Sequence, residues 1–232
     1  PQLDNLYIFP IVINMYTQTI TEGTNENEST IFNTNLKIAL EYCVQNNINV
    51  ISWSYCFSFS NYNFTDSNDN DFFQDYYDKL TICIASGDFG GCTPNIDPCV
   101  KNVNYPSTSK YVLSCGGTQM STEQNNNYIK SSEMAWLNNG TKVGQRGSGG
   151  GGISKQIISP QYQKNITGYS KRTVPDVSGI ATSWYLPISN IKLNQPIQGE
   201  SYSISLSGGT SVVAPMYAAF FIVVNQKRIL NK

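Results

Sequence analysis

Short β-rich runs alternate with helical patterns along the first half of the chain, and this alternation restricts the fold more than any other feature. Leu6 to Pro10 is a candidate strand. Apolar residues Ile31, Leu36, Ile38, Ala39, Leu40 and Cys43 recur at helical spacing and predict a helix over Thr30 to Gln45. Asn49 to Tyr55 reads as a buried strand, Asp71 to Lys79 as the intervening helix, and Leu80 to Ala85 as a second buried strand. Tyr111 to Cys115 reads as a further strand, after which Gly116-Gly117 is expected to turn the chain. Strand–helix–strand alternation predicts an α/β domain whose mostly parallel sheet is flanked by helices on both faces. In such sheets, function gathers beyond the carboxyl ends of the strands. Ser86-Gly87-Asp88 falls at such an end, and Thr210-Ser211 falls just ahead of the last apolar segment.

The 232 residues suit one domain with a substantial core, and 40% hydrophobic content marks globular material. A net charge of -1 offers no electrostatic case for nucleic acid or an anionic membrane. The apolar run Val212 to Val224 is too short to span a bilayer and is interrupted by Pro215, so it reads as a core helix. Pro1 to Pro10 has neither a basic region nor a starting methionine, so it is no signal peptide, and the chain reads as cut from something longer. Of six cysteines, Cys92 and Cys99 bracket a Pro-containing loop that a disulfide would close. Cys43, Cys56, Cys83 and Cys115 sit in apolar contexts and read as buried thiols. No spacing suggests zinc, and there is no histidine. Sequons at Asn27, Asn63, Asn139 and Asn165 barely favour secretion in a chain this rich in Asn, Ser and Thr. Asn61 to Asp71 and Asn125 to Asn127 read as exposed loops. Nothing in the composition speaks to oligomeric state.

Ser207-Gly-Gly-Thr-Ser211-Val-Val-Ala-Pro215 carries the chemistry. Small residues permit a tight turn, and the helix that follows opens with free N–H groups at Ser211. A proline in the first turn costs little there. A serine hydroxyl at the positive end of a helix dipole is well placed as a nucleophile; alternatively the segment is a helix cap ahead of a buried helix. Asp88, after its strand, reads either as a turn residue or as a carboxyl facing Ser211 across the strand ends. Gly147-Ser-Gly149-Gly150-Gly151-Gly152 matches a dinucleotide fingerprint literally. It lacks the preceding strand and following helix, so it reads as a loop or as a glycine wall for an extended peptide, and no cofactor is expected.

Two further strings complete a set: Tyr105-Pro106-Ser-Thr-Ser-Lys-Tyr111-Val-Leu-Ser-Cys-Gly116-Gly117-Thr118 and Val174-Pro175-Asp176-Val177. With Ser86-Gly87-Asp88-Phe89-Gly90, Gly150-Gly151-Gly152-Ile153-Ser154 and the Ser211 block, they stand in the order found in the sedolisins, the serine-carboxyl peptidases that include tripeptidyl peptidases. The resemblance covers nearly the whole chain. It implies a subtilisin-like fold and peptide-bond hydrolysis in acid through a serine acyl-enzyme, on peptide or protein substrates, in a secreted or lysosomal setting. Carried over by residue, it makes Ser211 the nucleophile and Asp88 the oxyanion-hole residue. Ser52, Trp53 and Ser54 become the segment that pairs with substrate backbone, with Gly149, Gly150, Gly151 and Gly152 as the opposite wall.

Subtilisin-like serine peptidases share Gly-Thr-Ser-x-x-x-Pro and are the next reading, but they use a histidine base and an asparagine in the oxyanion position. An ionised aspartate would repel the oxyanion; Asp88 serves only as a protonated donor, which suits acid chemistry. The resemblance also implies a glutamate with an aspartate one helical turn later as base, and no such pair stands in the expected place here; Asp4 immediately precedes the Leu6 strand. The family's calcium loop beyond the nucleophile helix is likewise missing from residues 1–232, so calcium is expected only in a complete domain and no metal site in this chain. The expectation is thus a single peptidase domain over 1–232, shortened at both ends and with little or no activity alone. The alternative is a truncated or naturally shortened homologue that binds peptides without cutting them.

Overall fold

The computed structural model describes residues 28–55, 71–91, 103–125, 128–137, 147–182, 184–189 and 202–230. The Leu6 to Pro10 strand, Asp4, Cys56, the Cys92–Cys99 pair, most of the Asn61 to Asp71 loop and the sequons at Asn27, Asn63 and Asn139 lie outside them.

Helix α1 spans Glu28–Gln45. It stops where Asn47 enters the left-handed region (φ 57°) and the Ile48 amide reaches back to the Cys43 carbonyl at 2.9 Å, closing carbonyls that the helix leaves open. Strands β1 (Val50–Trp53) and β2 (Thr81–Ala85) pair in parallel, Val50 opposite Thr81. Strand β3 (Leu113–Asn125) lies parallel to β2 through Cys83 opposite Leu113, and its far half folds back on β4 (Tyr128–Ala135) as an antiparallel hairpin. Strand β5 (Gly152–Ile158), helix α2 (Gln161–Thr167) and strand β6 (Lys171–Val174) follow, with β5 and β6 antiparallel. Strand β7 (Val177–Ile180) rejoins the main sheet parallel to β3, and β8 (Trp184–Ser189) pairs with β9 (Tyr202–Ser207) as a separate antiparallel ribbon. Helix α3 (Thr210–Leu230) closes the order.

The period-2 geometry of β2 explains why both faces of the sheet are covered. Ile82 and Ile84 point into one core with Leu36, Leu40 and Cys43 of α1 and with Phe73, Tyr76 and Tyr105. Cys83 and Ala85 point the other way, into a core with Cys115, Ala181 and Val213, Ala214 and Ala218 of α3. Each large apolar side chain buried in this way contributes on the order of 1.5–3 kcal/mol. Cys43, Cys83 and Cys115 are buried thiols, as their contexts suggested. The Cys115 thiol is pushed up by its hydrogen bond to Cys83 and by burial, so it stays neutral beneath α3.

Three local expectations are corrected. Phe72–Lys79 is a succession of turns and not a helix: amides bond three residues back, Gln74 to Asp71 and Tyr76 to Phe73, while the Asp71 carboxylate takes the Phe73 amide. Gly116-Gly117 does not turn the chain; β3 starts at Leu113 and runs straight through both. Glycine is needed there for space, because a Cβ on Gly116 would lie 2.4 Å from Pro175 Cγ and one on Gly117 2.8 Å from the Trp136 ring. Pro215 lies in the second turn of α3, six residues in, where a missing N–H does leave a carbonyl short of its helical donor.

Candidate active site

β2 ends at Ala85, and the next three residues deliver Asp88 to the start of α3. Asp88 is only 9% exposed. Its Oδ1 accepts two hydrogen bonds from one residue: the Thr210 amide and the Thr210 hydroxyl, each at 2.8 Å. Thr210 is fully buried, and its hydroxyl also accepts the Gly87 amide at 3.1 Å. The turn into α3 uses Gly209 at φ 122°, and a Cβ there would stand 2.7 Å from Asp88 Oδ2. The second carboxylate oxygen therefore lies against a bare glycine, beside the helix N-terminus.

Ser211 follows Thr210 and is exposed. Its amide belongs to the first turn of α3, where N–H groups have no intrahelical acceptor, and the dipole of a 21-residue helix adds positive potential. The residue before Ser211, Thr210, is the one that hydrogen-bonds Asp88 beyond the end of β2. Ser54, just past β1, donates its hydroxyl to the Ser211 carbonyl at 3.0 Å. Ser52 is exposed on β1. Trp53 points the opposite way, its ring edge-on to Phe73 at 6.4 Å on the α1 side.

The glycine run packs directly on the Asp88 turn. The Gly147 and Ser148 amides donate to the Asp88 carbonyl at 2.9 and 3.2 Å, and Phe89 bridges Ser148. The Gly150 amide donates to the Gly87 carbonyl at 2.7 Å, and its own carbonyl accepts the Ser86 hydroxyl at 2.8 Å. A Cβ on Gly150 would lie 2.2 Å from the Ser86 carbonyl oxygen, so only glycine lets these backbones meet. The Gly149 amide is taken by the Trp136 carbonyl at 2.9 Å. The Gly149 amide and both Gly150 backbone groups are thus engaged within the fold, and Gly152 pairs with Val174 of β6. Gly152 opens strand β5 and no helix, which is the wrong context for a dinucleotide loop.

Sequence reasoning named Thr210 only as part of a string and gave Trp136 no role. It also passed over the anchor behind the Pro-Asp-Val block. Arg172, fully buried, forms a two-pronged ion pair with Asp176, whose carboxylate also takes the Ser114 amide at 2.8 Å and the Tyr162 hydroxyl at 2.9 Å. Burial pushes the Tyr162 phenol up, keeping it a donor. A lone Arg and Asp four apart across a proline gave no periodic signal that could have revealed this.

Among the described residues, no titratable side chain hydrogen-bonds the Ser211 hydroxyl, and no cluster of three or more Cys, Asp or Glu side chains is arranged to hold a metal ion. Also among them, no helix is long and apolar enough to cross a membrane.

No family model matches the chain. Among curated proteins it is 35% identical over 156 residues to Kumamolisin of Bacillus sp. (strain MN-32), a match covering 64% of this chain and 25% of that protein. It is 28% identical over 140 residues to Xanthomonalisin of Xanthomonas sp. (strain T-22), covering 56% of this chain and 15% of that protein. Among solved structures it superposes on Pseudomonas sedolisin, a serine-carboxyl proteinase complexed with two molecules of pseudo-iodotyrostatin, with a TM-score of 0.60 at 24% identity. That match covers 80% of this chain and 50% of the sedolisin chain. Kumamolisin and Xanthomonalisin in sequence, and this sedolisin in fold, are what the chain is similar to. Its α/β sheet, mostly parallel and helix-covered on both faces, is the subtilisin-like fold of that sedolisin. The chain spans a quarter or less of the length of the two curated relatives and half of the solved sedolisin chain.

Proposed function

We propose that the protein containing this chain is a serine-carboxyl peptidase that hydrolyses peptide bonds in acid, with Ser211 as nucleophile and Asp88 as an oxyanion-hole donor. The observation that carries this reading is the double hydrogen bond from Thr210 to Asp88 Oδ1. Two donors on one oxygen direct a carboxyl proton to Oδ2, the oxygen nearest the Gly209–Ser211 turn. The hydroxyl of Ser211 adds to the scissile carbonyl. The resulting oxyanion takes hydrogen bonds from the Asp88 carboxyl and from the first-turn amide of Ser211. As the intermediate collapses, the base returns the Ser211 proton to the departing nitrogen, the amine leaves, and the acyl-serine that remains is hydrolysed by water.

An extended peptide would lie between Ser52–Ser54 and the glycine run, its backbone recognised more than its side chains. The need for a hydrogen on Asp88 supports an acidic workplace, a lysosome-like compartment or secretion into acid. The base that takes the Ser211 proton, a carboxylate in this reading, lies outside the described residues. The calcium that the family resemblance implies finds no group of three or more candidate ligands among the described residues.

The test is turnover of a peptide substrate by the complete gene product across pH. Activity with an acidic optimum that Ser211→Ala abolishes supports the proposal. Activity indifferent to Ser211→Ala, or confined to neutral and alkaline pH, refutes it. A second reading, peptide binding without turnover, is favoured by the lack of any titratable partner for the Ser211 hydroxyl among the described residues. Saturable peptide binding with no hydrolysis at any pH would select it.

A further inference from the structure

We infer that Ser54 is a positioning residue for the nucleophile, standing in for the backbone donor that Pro215 lacks, a role that deepens the assignment of Ser211 above and rests on it. In an α-helix the Ser211 carbonyl accepts a hydrogen bond from the amide four residues on. Residue 215 is proline and has no amide hydrogen. The Ser54 hydroxyl supplies the missing bond at 3.0 Å from an element 157 residues away in the chain. Thr210 is tied to Asp88 beyond β2. Ser211 itself is tied by its carbonyl to the end of β1. Two strand ends therefore fix the first turn of α3 from two directions.

This bond has a consequence for function more than for folding. Ser54 and Ser211 are both exposed, so water can hydrate the Ser211 carbonyl when the hydroxyl is removed, and no buried polar group is orphaned. What is lost is the fixed position of the residue whose side chain attacks substrate. Small displacements of a reacting group reduce turnover while leaving ground-state binding nearly intact.

A double-mutant cycle in the complete gene product tests this, with kcat and KM measured separately and urea midpoints measured in parallel. Ser54→Ala is expected to lower kcat about fivefold, the worth of a typical hydrogen bond, with KM within about twofold. Ser54→Thr keeps the hydroxyl and is expected to restore most of the loss. Pro215→Ala returns an amide hydrogen to position 215, so in that background Ser54→Ala is expected to cost about twofold or less in kcat and to shift the urea midpoint less. Equal losses in both backgrounds overturn the inference, as does a loss carried by KM alone, which would mark Ser54 as a substrate contact. Turnover that survives Ser211→Ala overturns the nucleophile assignment and the catalytic role of Ser54 with it. The urea midpoints decide separately whether Ser54 replaces the missing donor.

Discussion

Thr210 holds Asp88 by a single oxygen. Its amide and its hydroxyl both donate to Oδ1 at 2.8 Å, and the same hydroxyl accepts the Gly87 amide, so the aspartate and its own turn are fastened to the residue before Ser211. The arrangement distinguishes the two carboxylate oxygens: one is a committed acceptor, and the other lies over Gly209.

Replacing Asp88 with asparagine tests this division of labour. The amide oxygen takes the place of Oδ1 and keeps both Thr210 bonds, which puts the NH2 group where Oδ2 was. That group donates at every pH, so Asp88→Asn is expected to retain turnover and to extend it toward neutral pH. Asp88→Ala removes the donor and is expected to lower kcat about a hundred- to thousandfold. pH–rate profiles of the two variants check both statements; an Asn variant as inactive as the Ala variant contradicts them.

Thr210→Val keeps the shape and the amide bond but removes the hydroxyl, leaving the buried Gly87 amide without its acceptor. The expected outcome is a drop in kcat of about tenfold with little change in KM, and recovery in Thr210→Ser, which keeps the hydroxyl. A Val variant with wild-type kcat would show that the amide alone orients Asp88.

Gly209→Ala strikes the same spot from the other side. The added Cβ meets Asp88 Oδ2 at 2.7 Å on a backbone at φ 122°, a region that L side chains rarely adopt. Turnover is expected to fall at least about tenfold, since strain of this kind is on the order of 1–3 kcal/mol. Kinetics alongside circular dichroism separate loss of the site from loss of the fold.

The α/β fold was legible because α1 buries Leu36, Leu40 and Cys43 at helical spacing and β2 is a short apolar run buried on both faces, and the candidate site was picked out because Ser86-Gly87-Asp88 and Gly208-Gly209-Thr210-Ser211 are contiguous strings. What failed to show has physical reasons. Phe72, Phe73 and Tyr76 have helical spacing, yet Asp71 accepts the Phe73 amide and the Ser109 hydroxyl, and that network holds tight turns in place of a helix. Gly116-Gly117 looks like punctuation, but the pair is bare so that Pro175 and Trp136 can pack onto a continuous strand. The Ser54–Ser211 and Thr210–Asp88 bonds join residues more than a hundred positions apart, which no local pattern encodes.

Asp176 should matter to stability more than to chemistry. It neutralises Arg172, whose side chain is fully buried, and it accepts from Ser114, Tyr162 and Gln163. Asp176→Ala leaves a buried guanidinium without its counter-charge, and breaking such pairs typically costs about 3–5 kcal/mol. Urea denaturation of the variant should show a loss of that order. A loss under about 1 kcal/mol would mean that water reaches Arg172.

Asp71 gives a pH dependence of stability with a definite sign. Burial raises its carboxyl above the ordinary value, with the Ser109 hydroxyl, the Phe73 and Lys110 amides and the Lys110 charge opposing but not cancelling that effect. A raised folded value means that the native state holds the proton more tightly than the unfolded chain does. The stabilisation from that proton is complete below about pH 4 and is lost as pH rises through the folded value. Asp71→Asn has no proton to lose there. The advantage of wild type over Asp71→Asn in thermal midpoint should therefore be largest near pH 3 and shrink steadily toward pH 7. Midpoints of the two proteins measured in parallel across that range decide the matter, and a difference that is flat or grows toward neutrality contradicts it.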